Sequence, residues 1–294
     1  HFLALQGVGK TTTTVNLGAA IAESGKRVCL IDLDPQSHLT LHLGVPPEAI
    51  KATVYDLLID PECYASDALV NARPNLDALF SETDLAAAET ELATTANRQL
   101  ILRDKFASLA SAYDVVLVDC PPSLGLLTLN ALSLAKEVIV PMQAHFLALQ
   151  GVGKLLQTVG LVCGSINAEL RVSGIVLCMH ESQTTLAKEI VADLDGFFTE
   201  ARGTDVPWRD CRLLRPPIRR NVKLAEAPSF GKTILDYEPT CPGANDYRML
   251  ARDVMGEPPP PEAAPSAASI ESSPPAVVTI ETKPVATTAE PAIH

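Results

Sequence analysis

The sequence predicts an α/β fold: a doubly wound, mostly parallel sheet with helices on both faces. Three observations carry this expectation. Short apolar, β-rich runs recur at 27–32, 114–119, 137–141 and 173–179. Stretches with helical spacing separate them, and such alternation is the signature of crossover-connected parallel strands. Two of the runs end in acids, Asp32 and Asp119. Strand-end acids lie at the carboxyl edge of the sheet, where open α/β sheets bind ligands.

The elements are justified in order. Gly7-Val8-Gly9-Lys10-Thr11 reads as the working end of a phosphate-binding loop. In such a loop backbone N–H groups point inward at phosphate oxygens, and the dipole of the following helix adds to them. That helix is expected over 12–24, stopping at Gly25. The full pattern is G-x-x-x-x-G-K-[ST], and Ala4 stands where its first glycine belongs. The strand before the loop is truncated as written. Gly7, Val8, Gly9, Lys10, Thr11 and Thr12 are the nucleotide-binding candidates, with Lys10 reaching the terminal phosphates and the Thr11 hydroxyl on magnesium.

The run 27–32 is a buried parallel strand that continues into Asp32-Leu33-Asp34-Pro35-Gln36. Residues 37–100 are less regular: 67–79 has loop character and 84–102 reads as a helix. An amphipathic helix follows over 100–111, with Leu102, Phe106, Leu109 and Ala110 on one face. The strand at 114–119 is stopped by Cys120-Pro121-Pro122-Ser123. Helices are expected at 124–135, 146–162 and 185–198, and strands at 137–141 and 173–179.

Composition limits the classes. The 294 residues carry a net charge of −12, so any contact with nucleic acid must come from a local basic patch. The seven cysteines form no C-x-x-C, and His38 and His42 lack a nearby thiol pair. That spacing favours reduced thiols over disulfides or zinc. No apolar run approaches the length of a membrane helix, and 2–5 is too short for a signal-peptide core. A cytoplasmic location is the expectation. From Glu257 onward nine prolines and many Ala, Ser and Thr accompany five Glu and one Lys. Such a segment cannot bury enough apolar surface to offset its ordering entropy, so 257–294 reads as a disordered tail.

Lys10, Asp34 and Asp119, far apart in sequence, converge at one sheet edge in this topology. A Val/Leu strand ending in aspartate after a phosphate loop is the Walker B pattern, whose carboxylate holds magnesium, usually through water. Asp119 takes that role. Asp34 is the candidate for positioning or activating the attacking water, its backbone held extended by Pro35. Asp32 is a candidate outer partner of the magnesium site. Phosphoryl transfer needs charge neutralisation and an aligned water rather than covalent chemistry, and these residues supply both.

The blocks Gly-Val-Gly-Lys-Thr-Thr-Thr at 7–13, Leu-Ile-Asp-Leu-Asp-Pro-Gln at 30–36 and Val-Asp-Cys-Pro-Pro-Ser at 118–123 resemble the ParA branch of the ParA/MinD ATPases. Residues 217–234 look like the C-terminal signature of chromosomal ParA, also called Soj. The resemblance covers about 7–255 and makes 1–256 a deviant Walker ATPase domain. It implies ATP and Mg2+ as cofactors, an ATP-dependent homodimer, nonspecific DNA binding at the nucleoid, and hydrolysis stimulated by a ParB-like centromere-binding partner. Thr11, Asp119 and Asp34 match the family's magnesium and water-positioning residues. The implied function is a dimeric switch for chromosome or plasmid partitioning.

Residues 209–223 hold Arg209, Arg212, Arg215, Arg219, Arg220 and Lys223 against one acid, Asp210. Arg and Lys contacts to phosphate give sequence-independent, salt-sensitive affinity. Arg219, Arg220 and Lys223 are the DNA-binding candidates, and the resemblance selects Arg220 and Lys223. The family often places another DNA-contacting arginine in an Arg-Thr pair, where this chain has Gln183 before Thr184.

Residues 1–10 and 145–154 are identical, His-Phe-Leu-Ala-Leu-Gln-Gly-Val-Gly-Lys. The resemblance calls for Lys and Gly where Leu5 and Gln6 stand, and the chain lacks an initiator Met, so 1–6 reads as a misjoined fragment. If Leu5 is authentic, the expectation is nucleotide binding through Lys10 and Thr11 with poor dimerisation and little hydrolysis. In the second copy Leu155-Leu156 follows Lys154, so no hydroxyl reaches magnesium and the stretch reads as a helix. His145 there reads as structural.

Three rivals stand beside the partitioning switch. MinD-like cycling on membranes needs an amphipathic basic C-terminal helix, which the acidic, Pro-rich tail does not offer. A metabolic enzyme on the same fold is another, such as an amidating synthase or a nitrogenase-iron-protein-like reductase. The reductase needs cluster-binding cysteines, and Cys120 has no evident second ligand. The third is a binding-only scaffold, if the loop as written is authentic.

Overall fold

The computed structural model describes residues 2–4 and 9–258. Among these the sheet has eight strands: β1 Phe2–Ala4, β2 Val28–Asp32, β3 Leu69–Arg73, β4 Leu76–Leu79, β5 Val115–Asp119, β6 Glu137–Met142, β7 Arg171–Leu177 and β8 Arg212–Leu213. Their order is β3-β4-β2-β5-β1-β6-β7-β8. Every pair is parallel except β3–β4. The three-residue β1 lies at the centre, with Phe2 in register with Leu117 of β5 and Glu137 of β6.

The helices are α1 Lys10–Glu23, α2 His38–Leu43, α3 Val54–Ile59, α4 Leu85–Glu91, α5 Ile101–Phe106, α6 Leu126–Leu134, α7 Phe146–Ser165, α8 Thr185–Ala201, α9 Val222–Glu226, α10 Ile234–Tyr237 and α11 Pro242–Val254. They cover both faces. Along β2, Cys29 and Ile31 join one core, while Val28 and Leu30 join the other. In β5, Val116 and Val118 side with the first, Val115 and Leu117 with the second. The first core takes residues from α3 to α8, and the second from α1, α2, α10 and α11. Strands buried on both faces read as continuous apolar runs, which is why β2 and β5 are visible in the sequence. Each fully buried Leu, Ile or Val contributes about 1.5–3 kcal/mol.

The region read as irregular needs correction. Residues 67–79 hold the antiparallel hairpin β3–β4, not a loop. Its turn is Pro74-Asn75, with Asn75 at φ 60°. The helix expected over 84–102 is broken: α4 stops at Glu91, and Asn97 at φ 54° precedes a short 3-10 turn, Arg98–Leu100. The amphipathic helix expected to 111 ends at Phe106, followed by a 3-10 turn at Ala110–Ala112. The second copy of the decapeptide starts α7, as expected, and is no phosphate loop. No helix among the described residues is long and apolar enough to cross a membrane. The expected tail lies, from residue 259 on, outside the described residues.

Candidate functional site

Gly9 sits immediately before α1 at φ 90°. A side chain there would be strained, and its Cβ would come within 3.1 Å of the Cys178 sulfur. The loop therefore turns into the helix on glycine, leaving the first N–H groups of α1 free of side-chain capping. Gly7 and Val8 lie outside the described residues. Helix α1 is anchored through its buried face. Thr13 Oγ1 lies 3.2 Å from the Tyr247 hydroxyl, and Asn16 Oδ1 accepts from the Ile234 N–H at 2.7 Å.

Three acids gather at the carboxyl ends of β2 and β5, where Asp32 and Asp119 are register partners. Thr11 Oγ1 donates to Asp119 Oδ2 at 2.6 Å. Asp119 is fully buried, and its Oδ1 has no hydrogen-bond partner among the described residues. Burial, then the neighbouring Asp32 carboxylate, pushes Asp119 up to about 8, against the Thr11 hydrogen bond and Lys10. A buried carboxylate with one bonded and one bare oxygen, next to a hydroxyl, fits a hard cation that favours the ionised form. The residues present thus fit magnesium at Thr11 and Asp119.

Asp32 is also buried, and burial raises it to about 6. Both its oxygens are occupied: Oδ1 accepts from the Asp34 N–H at 3.1 Å, and Oδ2 accepts from the Thr40 N–H at 3.0 Å and hydroxyl at 2.8 Å. Its work is to fold the segment 34–40, which fits the outer role. Asp34 Oδ1 accepts from the Gln36 N–H at 3.0 Å, and the Asp34 carbonyl accepts from Ser81 Oγ at 2.9 Å. Lys10, Thr11, Thr12 and Asp34 line one cleft of about 490 Å³, walled also by His38, Leu41, His42, Pro228 and Ser229. The structure thus brings together Lys10, Thr11, Asp34 and Asp119.

Sequence reasoning missed the second cavity, about 170 Å³, which shares Gly9 and Thr12 with the first. Its lining includes Cys178, Met179, Ile218, Leu224 and Tyr247, an apolar set with Arg219 and Asn221 at its edge. Met179 is held at φ 47° just beyond β7. The only sequence signal was position: a strand end two elements away from the loop.

The basic segment is less bare than its sequence suggests. Asp253 accepts from Arg212 at 2.7 Å, and Arg209 pairs with Asp205 and Asp210. Arg219 grips Asp246 through Nε and Nη2, the latter at 2.7 Å, and its N–H reaches the same carboxylate at 3.1 Å. Asp246 is 5% exposed, so this pair fastens the segment to α11. Arg220 pairs with Glu181 at 2.8 Å and Lys223 with Glu226 at 2.9 Å, both on the surface. Thr184 caps α8 by accepting from the Ala187 N–H at 3.3 Å.

Comparison with known proteins bears on these observations. The AAA_31 family, described as an AAA domain, matches residues 5–172. The Chromosome-partitioning ATPase Soj of Thermus thermophilus is 46% identical over 251 residues, 85% of this chain and 91% of that protein. The Sporulation initiation inhibitor protein Soj of Bacillus subtilis is 39% identical over 248 residues, 84% and 94% of the two chains. The structure of a cobyrinic acid a,c-diamide synthase from Mycobacterium smegmatis, with bound ADP and magnesium, is 35% identical with a TM-score of 0.70, covering 87% of this chain and 94% of that one. The cell division ATPase MinD of Pyrococcus furiosus, at 23% identity and a TM-score of 0.67 over 87% of this chain and 98% of its own, shares the fold.

Proposed function

We propose, on the premise that this chain belongs to the ParA/Soj family of chromosome-partitioning ATPases, that it is an ATP-dependent dimeric switch. In this reading the Mg-ATP dimer binds DNA nonspecifically, and hydrolysis stimulated by a ParB-like partner releases it. The observation that carries the reading is the hydrogen bond from Thr11, which lines the cleft with Lys10 and Asp34, to the buried Asp119 carboxylate.

Magnesium, when bound, neutralises charge on the β- and γ-phosphates. The chain's own residues do the rest. Lys10 and the N-terminus of α1 hold the phosphates. Thr11 and Asp119 would hold the cation, the Thr11 hydroxyl directly once freed from its bond to Asp119 and the Asp119 carboxylate through water. Asp34 orients the attacking water and accepts its proton as the bond from water to the γ-phosphorus forms and the bond from the γ-phosphorus to the bridging oxygen breaks, with ADP leaving. Asp32 keeps the Asp34 loop in place through Thr40. The apolar cavity beside Gly9 suits the purine. Arg220 and Lys223 meet DNA phosphates by giving up surface ion pairs, which are individually worth little. Arg219 supports them from its tie to Asp246. The residues of 257–294 are an appended tail.

A second reading rests on Leu5: where the family signature calls for lysine, the chain as written would bind nucleotide without efficient turnover. The test is an ATPase assay of the full chain with and without double-stranded DNA and a ParB protein. Stimulation by both together supports the switch. Tight Mg-ATP binding without turnover supports the second reading.

A further inference from the structure

The two walls of the main cleft meet in a backbone contact between Gly44 and Gly231. Helix α2 ends at Gly44 (φ 62°), and the 3-10 turn Ala227–Phe230 ends at Gly231 (φ 61°). The two glycines pack against each other so closely that a Cβ on Gly44 would stand 2.6 Å from the Gly231 Cα and carbonyl oxygen. One side chain spans the seam. Arg73, at the end of β3, donates through Nη1 to the Leu43 carbonyl at 3.3 Å and through Nη2 to the Gly231 carbonyl at 3.2 Å. Its Nε is fixed by Asp236 of α10, which also accepts from the Thr233 hydroxyl at 2.9 Å. Arg73 is 18% exposed, so this is a packed brace rather than a surface pair.

What the brace joins gives it meaning. From α2 come His38, Leu41 and His42 on one side of the cleft; from the turn come Pro228 and Ser229 on the other. Thr40, inside α2, is the residue that binds the Asp32 carboxylate. We propose that Arg73 is a positioning residue: by bridging the Leu43 and Gly231 carbonyls it fixes the separation of the two cleft walls, and with it nucleotide affinity. This rests on the reading of the cleft as a Mg-ATP site. A planar guanidinium reaches both carbonyls and the carboxylate at once, whereas a lysine ammonium reaches fewer of them.

The test uses the full chain, magnesium and a fluorescent N-methylanthraniloyl ATP. Arg73→Ala is expected to weaken binding about tenfold, with the protein still folded by circular dichroism at the assay temperature. Arg73→Lys should recover part of the loss. Gly44→Ala should reproduce the loss with Arg73 intact, because it forces the same walls apart. In wild type Arg73 helps hold His42 neutral, so NMR titration of Arg73→Ala should show His42 moving up. Wild-type affinity in a folded Arg73→Ala protein overturns the brace; should that variant not fold, wild-type affinity in both Arg73→Lys and Gly44→Ala overturns it. If wild type shows no magnesium-dependent binding that Lys10→Ala abolishes, the Mg-ATP reading itself falls, and the brace with it.

Discussion

Thr11 Oγ1 and Asp119 Oδ2 lie 2.6 Å apart although 108 residues separate them in the chain. The bond occupies one oxygen of a fully buried carboxylate, and the other has no hydrogen-bond partner among the described residues. Asp119→Asn keeps the shape and removes the charge. It is expected to abolish the magnesium dependence of nucleotide affinity without lowering the melting temperature. Calorimetric titration with and without EDTA, beside a thermal melt, measures both.

Asp34 belongs to a different step. Asp34→Ala should hold Mg-ATP within about threefold of wild type while hydrolysis falls by about 10²–10⁴, the usual share of a positioned base. Single-turnover hydrolysis beside equilibrium binding separates the effects. A parallel loss of both would assign Asp34 to binding instead.

The basic residues should divide by what they touch. Arg220→Glu is expected to remove ATP-dependent DNA retention and spare ATP binding. The milder Arg220→Gln should lower the salt dependence of DNA affinity by about one unit of slope. Arg219→Ala should instead destabilise the fold by about 1–3 kcal/mol, since it removes the guanidinium and leaves the buried Asp246 carboxylate only the backbone N–H of residue 219. Mobility shifts over a salt series and urea melts give the two readouts.

His42 sets an acid limit. It is 2% exposed, and burial, then Arg73, lowers it from 6.5 to about 4. The unfolded chain therefore takes up a proton at a pH where the folded one does not. Stability from this group is full above about 6.5 and is lost as pH falls toward about 4, at about 1.4 kcal/mol per pH unit. His42→Gln should flatten that part of the stability–pH profile, read by denaturant melts at pH 7, 6 and 5.

The central strands and the acids at their ends were legible because burial on both faces writes β2 and β5 as unbroken apolar runs. The hairpin β3–β4 was not: β3 is a half-buried edge strand, and Asn71, Arg73, Pro74 and Asn75 dilute its pattern. The break after α4 was hidden in Thr94, Thr95 and Ala96, which carry no strong stop, and is made by Asn97 entering the left-handed region. The spatial neutralisation of the basic segment was invisible because Glu181, Asp246 and Asp253 come from other parts of the chain. The repeated decapeptide makes the same point within one molecule. Phe2–Ala4 is a strand between β5 and β6, whereas the identical Phe-Leu-Ala at 146–148 opens α7. Neighbours, not local preference, decide between them.

The place of β1 also governs the order of assembly. Its partners begin at Val115 and Glu137, so the slot it fills does not exist until β6 has left the ribosome. A nascent chain shorter than that can pack α1 on β2 and α2 but lacks a strand on one side of β1. At roughly 5–20 residues per second, several seconds pass with this apolar strand unhoused, a window that favours chaperone capture over nucleotide capture. The nucleotide is therefore a late guest, able to stabilise the finished sheet but not to template it.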